Sequence, residues 1–132
     1  MRLRLLLAAL LTASHALAQE TAQRELNELT GAPPGTRCFQ SIALAQELAR
    51  HYVASGLCER ELSAMDPARF MGALEGMNAV DEDFPSDACQ VQMRLMFRAG
   101  REWIAEDPRR NCTATAAEMR ELPVFRDYVR GR

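Results

Sequence analysis

Apolar residues recur along most of this chain at three- and four-residue intervals, the spacing of a helix with one buried face. No convincing single alternation of the kind a half-buried strand requires accompanies it. An early stripe is short: Ala22, Leu26 and Leu29, stopped by Gly31-Ala-Pro33-Pro34-Gly35. A clear helix is predicted over 41–55, with Ile42, Ala45, Leu48, Ala49 and Tyr52 on its apolar face and Gly56-Leu57 as a left-handed stop. Asp66-Pro67 reads as an N-cap with proline at the first helical position, opening a helix to about residue 78 that faces inward with Phe70, Met71, Leu74 and Met77. Residues 81–86 form a loop. Asp87 with Gln90 makes a capping pair for what the pattern predicts as the longest helix, its stripe being Cys89, Met93, Met96, Phe97, Gly100 and Ile104. Asp107-Pro108 breaks that helix. Thr115 and Glu118 suggest one or two more capped turns before Pro123, and 124–129 fits helix or strand. The expected fold is an all-α bundle of three main helices with short terminal helices.

The N-terminus has a different character. Met1-Arg2-Leu3-Arg4 is a positive start, Leu5 to Leu11 an apolar run, and Ala16-Leu17-Ala18 a small-x-small cleavage pattern, so residues 1–18 read as an export signal and Gln19 as the first mature residue. The remaining 114 residues suffice for one domain, 19–132, and not for two. Losing the leader removes two arginines and no acid, taking the formal net charge from −2 to −4, which argues against nucleic acid as a partner. All sixteen basic residues are arginine, as a GC-rich bacterial genome would produce. No later apolar run approaches the roughly 18 residues of a membrane span, so stable membrane insertion is not expected. The expected location is the bacterial periplasm or the exterior.

Four cysteines in an exported chain point to two disulfides. Cys38 and Cys58 flank one predicted helix, and at 1.5 Å per residue they stand about 25 Å or more apart, against under about 7 Å between the Cα atoms of a disulfide. Cys89 and Cys112 meet the same objection. Three helices running up, down and up favour Cys38 with Cys89 and Cys58 with Cys112. Antiparallel helices would instead pair Cys38 with Cys112 and Cys58 with Cys89, and a swapped dimer could form either pair between chains.

The stretch Ser41-Ile-Ala-Leu-Ala-Gln-Glu-Leu-Ala-Arg-His-Tyr-Val-Ala-Ser-Gly56 resembles the opening helix of the N-terminal dimerisation domain in periplasmic FKBP-type peptidyl-prolyl isomerases of the macrophage infectivity potentiator kind. Asp66-Pro-Ala-Arg-Phe70-Met-Gly-Ala73-Leu74 is similar to the next motif of that family, and Gln90 to Phe97 sits where its long connecting helix begins. Ala45, Ala49 and Ala73 replace family glycines, Ile42 an aromatic and Gly76 an acid, and the cysteines lie outside the family pattern. The resemblance implies an intertwined homodimer with a chaperone-like, client-holding role, its interface drawn from Ala45, Ala49, Tyr52, Phe70, Ala73 and Met77. It does not imply isomerase activity, since the family's catalytic β domain would follow where this sequence stops at Arg132.

Candidate chemistry is sparse, and neither an enzyme activity, a cofactor nor a metal is expected. His51 is the one histidine beyond the leader, and Glu47 one turn before it offers a possible acid–base couple, with an ordinary surface contact as the simpler account. Cys89, Met93 and Met96 share a face that could ligate a soft metal, but core packing explains them more simply. Asp81-Glu82-Asp83 lacks the spacing of a calcium loop. Trp103 is either core or an interface anchor. Two readings follow: a homodimeric chaperone-like or scaffolding module that binds itself and envelope proteins or unfolded clients, or a disulfide-stapled monomer that binds one specific partner, such as an immunity protein or an inhibitor of an envelope enzyme.

Overall fold

The computed structural model describes residues 2–131, with side chains from His15 onward. Five helices follow in order: α1 (Arg2–Thr30), α2 (Ile42–Leu57), α3 (Pro67–Gly76), α4 (Asp87–Glu106) and α5 (Pro108–Arg120), and a 3-10 turn (Arg126–Tyr128) ends the chain of elements. Ser41 caps α2 by accepting from the Leu44 N–H, and Asp66 caps α3 by accepting from the Arg69 N–H. The cap of α4 is Ser86 rather than Asp87, with its hydroxyl accepting from Cys89 N–H, while Gln90 turns back to donate to the Phe84 carbonyl. Asp107 ends α4 and caps α5 in one residue, through the Arg110 N–H. The fold is all-α: two isolated antiparallel bridges, Phe39 with Val80 and Leu62 with Val129, are the β pairings among the described residues.

Both disulfides take the up-down-up pairing. Cys38 joins Cys89 with Cα atoms 5.4 Å apart, and Cys58 joins Cys112 at 5.5 Å, each bridging more than fifty residues of sequence. Closing loops of 51 and 54 residues stabilises the fold by about 4 kcal/mol each in the chain-entropy account. Between the two cross-links α2 and α4 run parallel and make the largest contact in the molecule. The two helices approach tightly at Gly100, where a Cβ would stand 2.7 Å from Val53 Cγ2 and 3.3 Å from Arg50 Cα. Ala45 and Ala49, fully buried, lie two turns and one turn before Val53 on the same line of α2. Tyr52, Phe70 and Phe97 then bring α2, α3 and α4 together, with ring centroids 4.6 to 5.4 Å apart.

Four sequence expectations need correction. The N-terminal helix does not begin at the Ala22 stripe: α1 has 29 residues and runs back through the leader-like residues, because nothing before Gly31 interrupts it. Its docked face takes Ala22 and Leu26 from the expected stripe but not Leu29, which is 75% exposed, and adds the buried Gln23 and Asn27. Next, α5 is a full 13-residue helix, hidden from a hydrophobicity pattern because two of its buried positions, Asn111 and Thr115, are polar. Asn111 Nδ2 donates to the Trp103 carbonyl at 2.7 Å and Thr115 Oγ1 to the Asn111 carbonyl at 2.8 Å, so both pay their hydrogen-bonding obligations locally. Finally, α2 runs through Gly56 to Leu57, and Cys58 N–H closes it on the Ala54 carbonyl.

The docking of α1 is an amide seam. Between α1 and α2 the chain is irregular, and its buried backbone groups need partners from elsewhere. Gln19 donates to the Phe39 carbonyl and accepts from Ile42 N–H; Gln23 accepts from Phe39 N–H; Asn27 donates to the Thr36 carbonyl. These three lie four residues apart on one line of α1, and Gln92 from α4, fully buried, joins Gln23, Asn27 and Thr30 behind them. The C-terminal segment is held similarly: Ser63 N–H donates to the Tyr128 carbonyl and Arg130 N–H to that of Glu61, which seats Phe125 in the core.

Two pairs of variants test this packing by urea unfolding and hydrogen exchange. Gly100→Ala forces Val53 or the α2 backbone to shift and should cost roughly 1–3 kcal/mol, whereas Gly56→Ala, whose Cβ meets nothing within 4 Å, should gain about 0.5–1 kcal/mol of helix propensity. Gln23→Leu strands the buried Phe39 N–H and one Gln92 oxygen, so it should cost roughly 1–3 kcal/mol and lower amide protection in α1 more than in α2, while Glu25→Gln on the exposed side should do neither.

Candidate functional site

The described side chains with the most perturbed surroundings meet where α2, α4 and α5 converge. His51 is fully buried on α2, its ring edge-on to Phe125 at 5.8 Å. Its Nε2 lies 3.0 Å from Glu118 Oε2 on α5. A carboxylate accepts, so the proton sits on Nε2 and Nδ1 carries a bare lone pair, which is buried without a hydrogen-bond partner. Arg50 Nη2 donates to the same Glu118 oxygen at 2.8 Å, and its guanidinium lies 4.7 Å over the Trp103 ring of α4. The Arg50 Nε is the other buried polar side-chain atom without a partner.

Burial pushes His51 below its ordinary value of 6.5, more strongly than the hydrogen bond and charge of Glu118 pull it up. For Glu118, burial acts upward, but the hydrogen bonds from His51 and Arg50 together with their charges hold it below its ordinary 4.5. The cluster is therefore a neutral imidazole and an arginine sharing one ionised carboxylate. The partner of His51 is thus Glu118, 67 residues away, rather than Glu47, and the surface contact expected for His51 is overturned by its full burial.

Glu47, His51 and Glu118 bring potential metal-ligand atoms within 4.8 Å of one another. Arg50 already supplies the positive charge beside Glu118. A metal on Nε2 would move the ring proton to Nδ1, where no carbonyl or carboxylate receives it, so the outer support that usually orients a metal-bound histidine is missing. Every cysteine is in a disulfide, so none is available as a nucleophile beside the imidazole. This arrangement acts as a polar clamp between α2 and α5, with Trp103 as its cover.

The other sequence candidates fall elsewhere. Cys89, Met93 and Met96 are buried in the core, with Cys89 in a disulfide. The acidic loop is engaged by Arg37, which pairs with Asp81 at 3.0 Å and Glu82 at 3.4 Å while its N–H donates to Asp83. Of the residues assigned to an interface, Ala45, Ala49, Phe70 and Ala73 are at most 3% exposed within one chain, and Tyr52 and Met77 are partly buried against the same core. Glu118 and Gln92 were missed as contact residues because nothing in their own sequence neighbourhood shows which helix they face. No family model matches the chain, and no curated protein or solved structure matches it significantly.

The clamp makes stability pH-dependent. Because the folded state resists protonating His51, its contribution is complete above pH 6.5 and is lost as pH falls from there through the lower value of the folded state; the contribution of Glu118 is complete above 4.5 and is lost as pH falls from there in the same way. Thermal midpoints measured from pH 8 to pH 4 should fall on the acid side, and His51→Gln should flatten the part of the decline that begins near 6.5. An unchanged profile in His51→Gln would show that this imidazole does not set it.

Proposed function

We propose that this protein is an exported, non-catalytic helical binding module that acts as a disulfide-stapled monomer on one specific partner in the bacterial envelope or outside the cell. Its address is supported by the leader-like residues 1–18 and by two disulfides, which persist in oxidising compartments. Among the described residues no helix is long and apolar enough to cross a membrane.

One observation carries the choice of monomer. The small-residue faces at Ala45, Ala49 and Ala73, with Phe70, are spent inside a single chain, and two intrachain disulfides hold the helices that cover them. An intertwined dimer would need those faces between chains. The homodimeric, chaperone-like module implied by the FKBP-type resemblance would have to form through other surface, such as the side of α1 that carries the exposed Leu29.

Light scattering after size-exclusion chromatography of the purified protein decides between them, with the disulfides intact and then reduced. A monomer mass in the oxidised state is expected. A concentration-independent dimer in both states would overturn the monomeric reading and favour assays of client aggregation.

A further inference from the structure

One region combines exposed apolar surface, bare backbone and unpaired charge. At the end of α2 a cavity of about 250 Å³ opens between Tyr52, Gly56, Leu57, Met65 and Arg101. Leu57 is 52% exposed beside it. Gly56, which the helix does not use as a stop, contributes no side chain, and a Cβ there would meet nothing within 4 Å. Glycine is a poorer helix former than alanine, so this one, in the last turn of α2, keeps space open at some expense of stability.

Arg101 continues a line along the outer face of α4. Arg94, Arg98 and Arg101 are spaced four and three residues apart and all are exposed, so they present one guanidinium per turn toward solvent. Arg98 has a loose 3.8 Å pair with Glu102, and Arg94 and Arg101 have no acidic partner among the described residues. The chain as a whole is acidic, so this row is a local departure from its charge.

We infer that the α4 arginine row and the cavity at the end of α2 form one recognition surface for an acidic peptide segment that carries a single large apolar side chain. Cavity size selects the class of occupant: about 250 Å³ lies below the roughly 300–1,000 Å³ of small-molecule and cofactor sites and suits one side chain. Charge selects the rest, since guanidinium rows pair with carboxylates in forked geometry. The α2 carbonyl end disfavours anions, so the apolar side chain seats over Gly56 and Leu57 and the carboxylates lie toward α4. The net negative charge elsewhere on the chain repels acidic peptides, which confines their attraction to this face. This surface deepens the monomeric binding reading and rests on it.

The test uses the oxidised protein and a capped peptide with one phenylalanine between runs of glutamate, with binding followed by calorimetry. Saturable binding that weakens as salt rises is expected, with about a tenfold loss in Arg101→Ala and a comparable loss when alanine replaces the phenylalanine. Gly56→Leu should abolish binding while keeping or raising the thermal midpoint, because it fills the cavity with a better helix former. No saturable binding, equal binding by a lysine analogue of the peptide, or full binding by Gly56→Leu would each overturn the proposal. Light scattering on the same samples reports the monomeric reading separately, so a monomer that does not bind rejects only this surface.

Discussion

The parallel pairing of α2 with α4 is the constraint from which the rest of the molecule follows. Two helices bearing small residues are pinned near their starts by Cys38–Cys89, while Cys58–Cys112 ties the end of α2 to the helix that follows α4. A parallel pair needs a return element between its members, and α3 with its flanking loops supplies it. Once the rods are in register, Gly100 fits against Val53 and Arg50, and the Tyr52, Phe70 and Phe97 rings close the side where α3 returns. A slip of one helix past the other would pull on Cys38–Cys89 and the Gly100 contact together, so register is specified by covalent and steric means at once.

Polar groups then attach the outer helices to that pair. α1 is held by glutamine and asparagine side chains that satisfy the irregular backbone at 36–42, and α5 by Glu118 reaching Arg50 and His51. Hydrogen bonds of this kind contribute modestly in net terms but are costly to leave unmade, so they specify position more than they add stability. The buried imidazole belongs to this class. Its surroundings are perturbed because it is a desolvated interhelical contact, and perturbed titration alone does not distinguish such a contact from a reacting group.

Legibility in the sequence tracked the locality of each signal. The Asp66 cap, the apolar face starting at Ile42 and the break at Asp107-Pro108 work over a few residues, and the starts and stops they mark agree with the structure to within a residue or two. The Ser86 cap was one residue out because Asp87 is an equally good candidate when only the sequence is visible. Gly56 misled for a physical reason: glycine both ends helices and opens space, and only the backbone separates the two uses, since Gly31 takes a left-handed φ of 71° where α1 ends while Gly56 stays within α2. The α1 and α5 faces were only partly read because several of their buried positions, Gln23, Asn27, Asn111 and Thr115, are polar and interrupt the apolar period.

Helical class, the main breaks and the exclusion of a disulfide across a single helix were determined by the chain itself, since hydrogen-bonded turns, caps and rod lengths depend on near neighbours. The tertiary structure alone decided between the two remaining cysteine pairings, and it alone decided that Glu118 rather than Glu47 meets His51, that an amide seam docks α1, and that Ala45, Ala49 and Ala73 are buried. It also decided that Arg101 stands beside an open cavity at Gly56. Each of those contacts joins residues far apart in sequence, and their partners are fixed only when α2 and α4 have been brought into register.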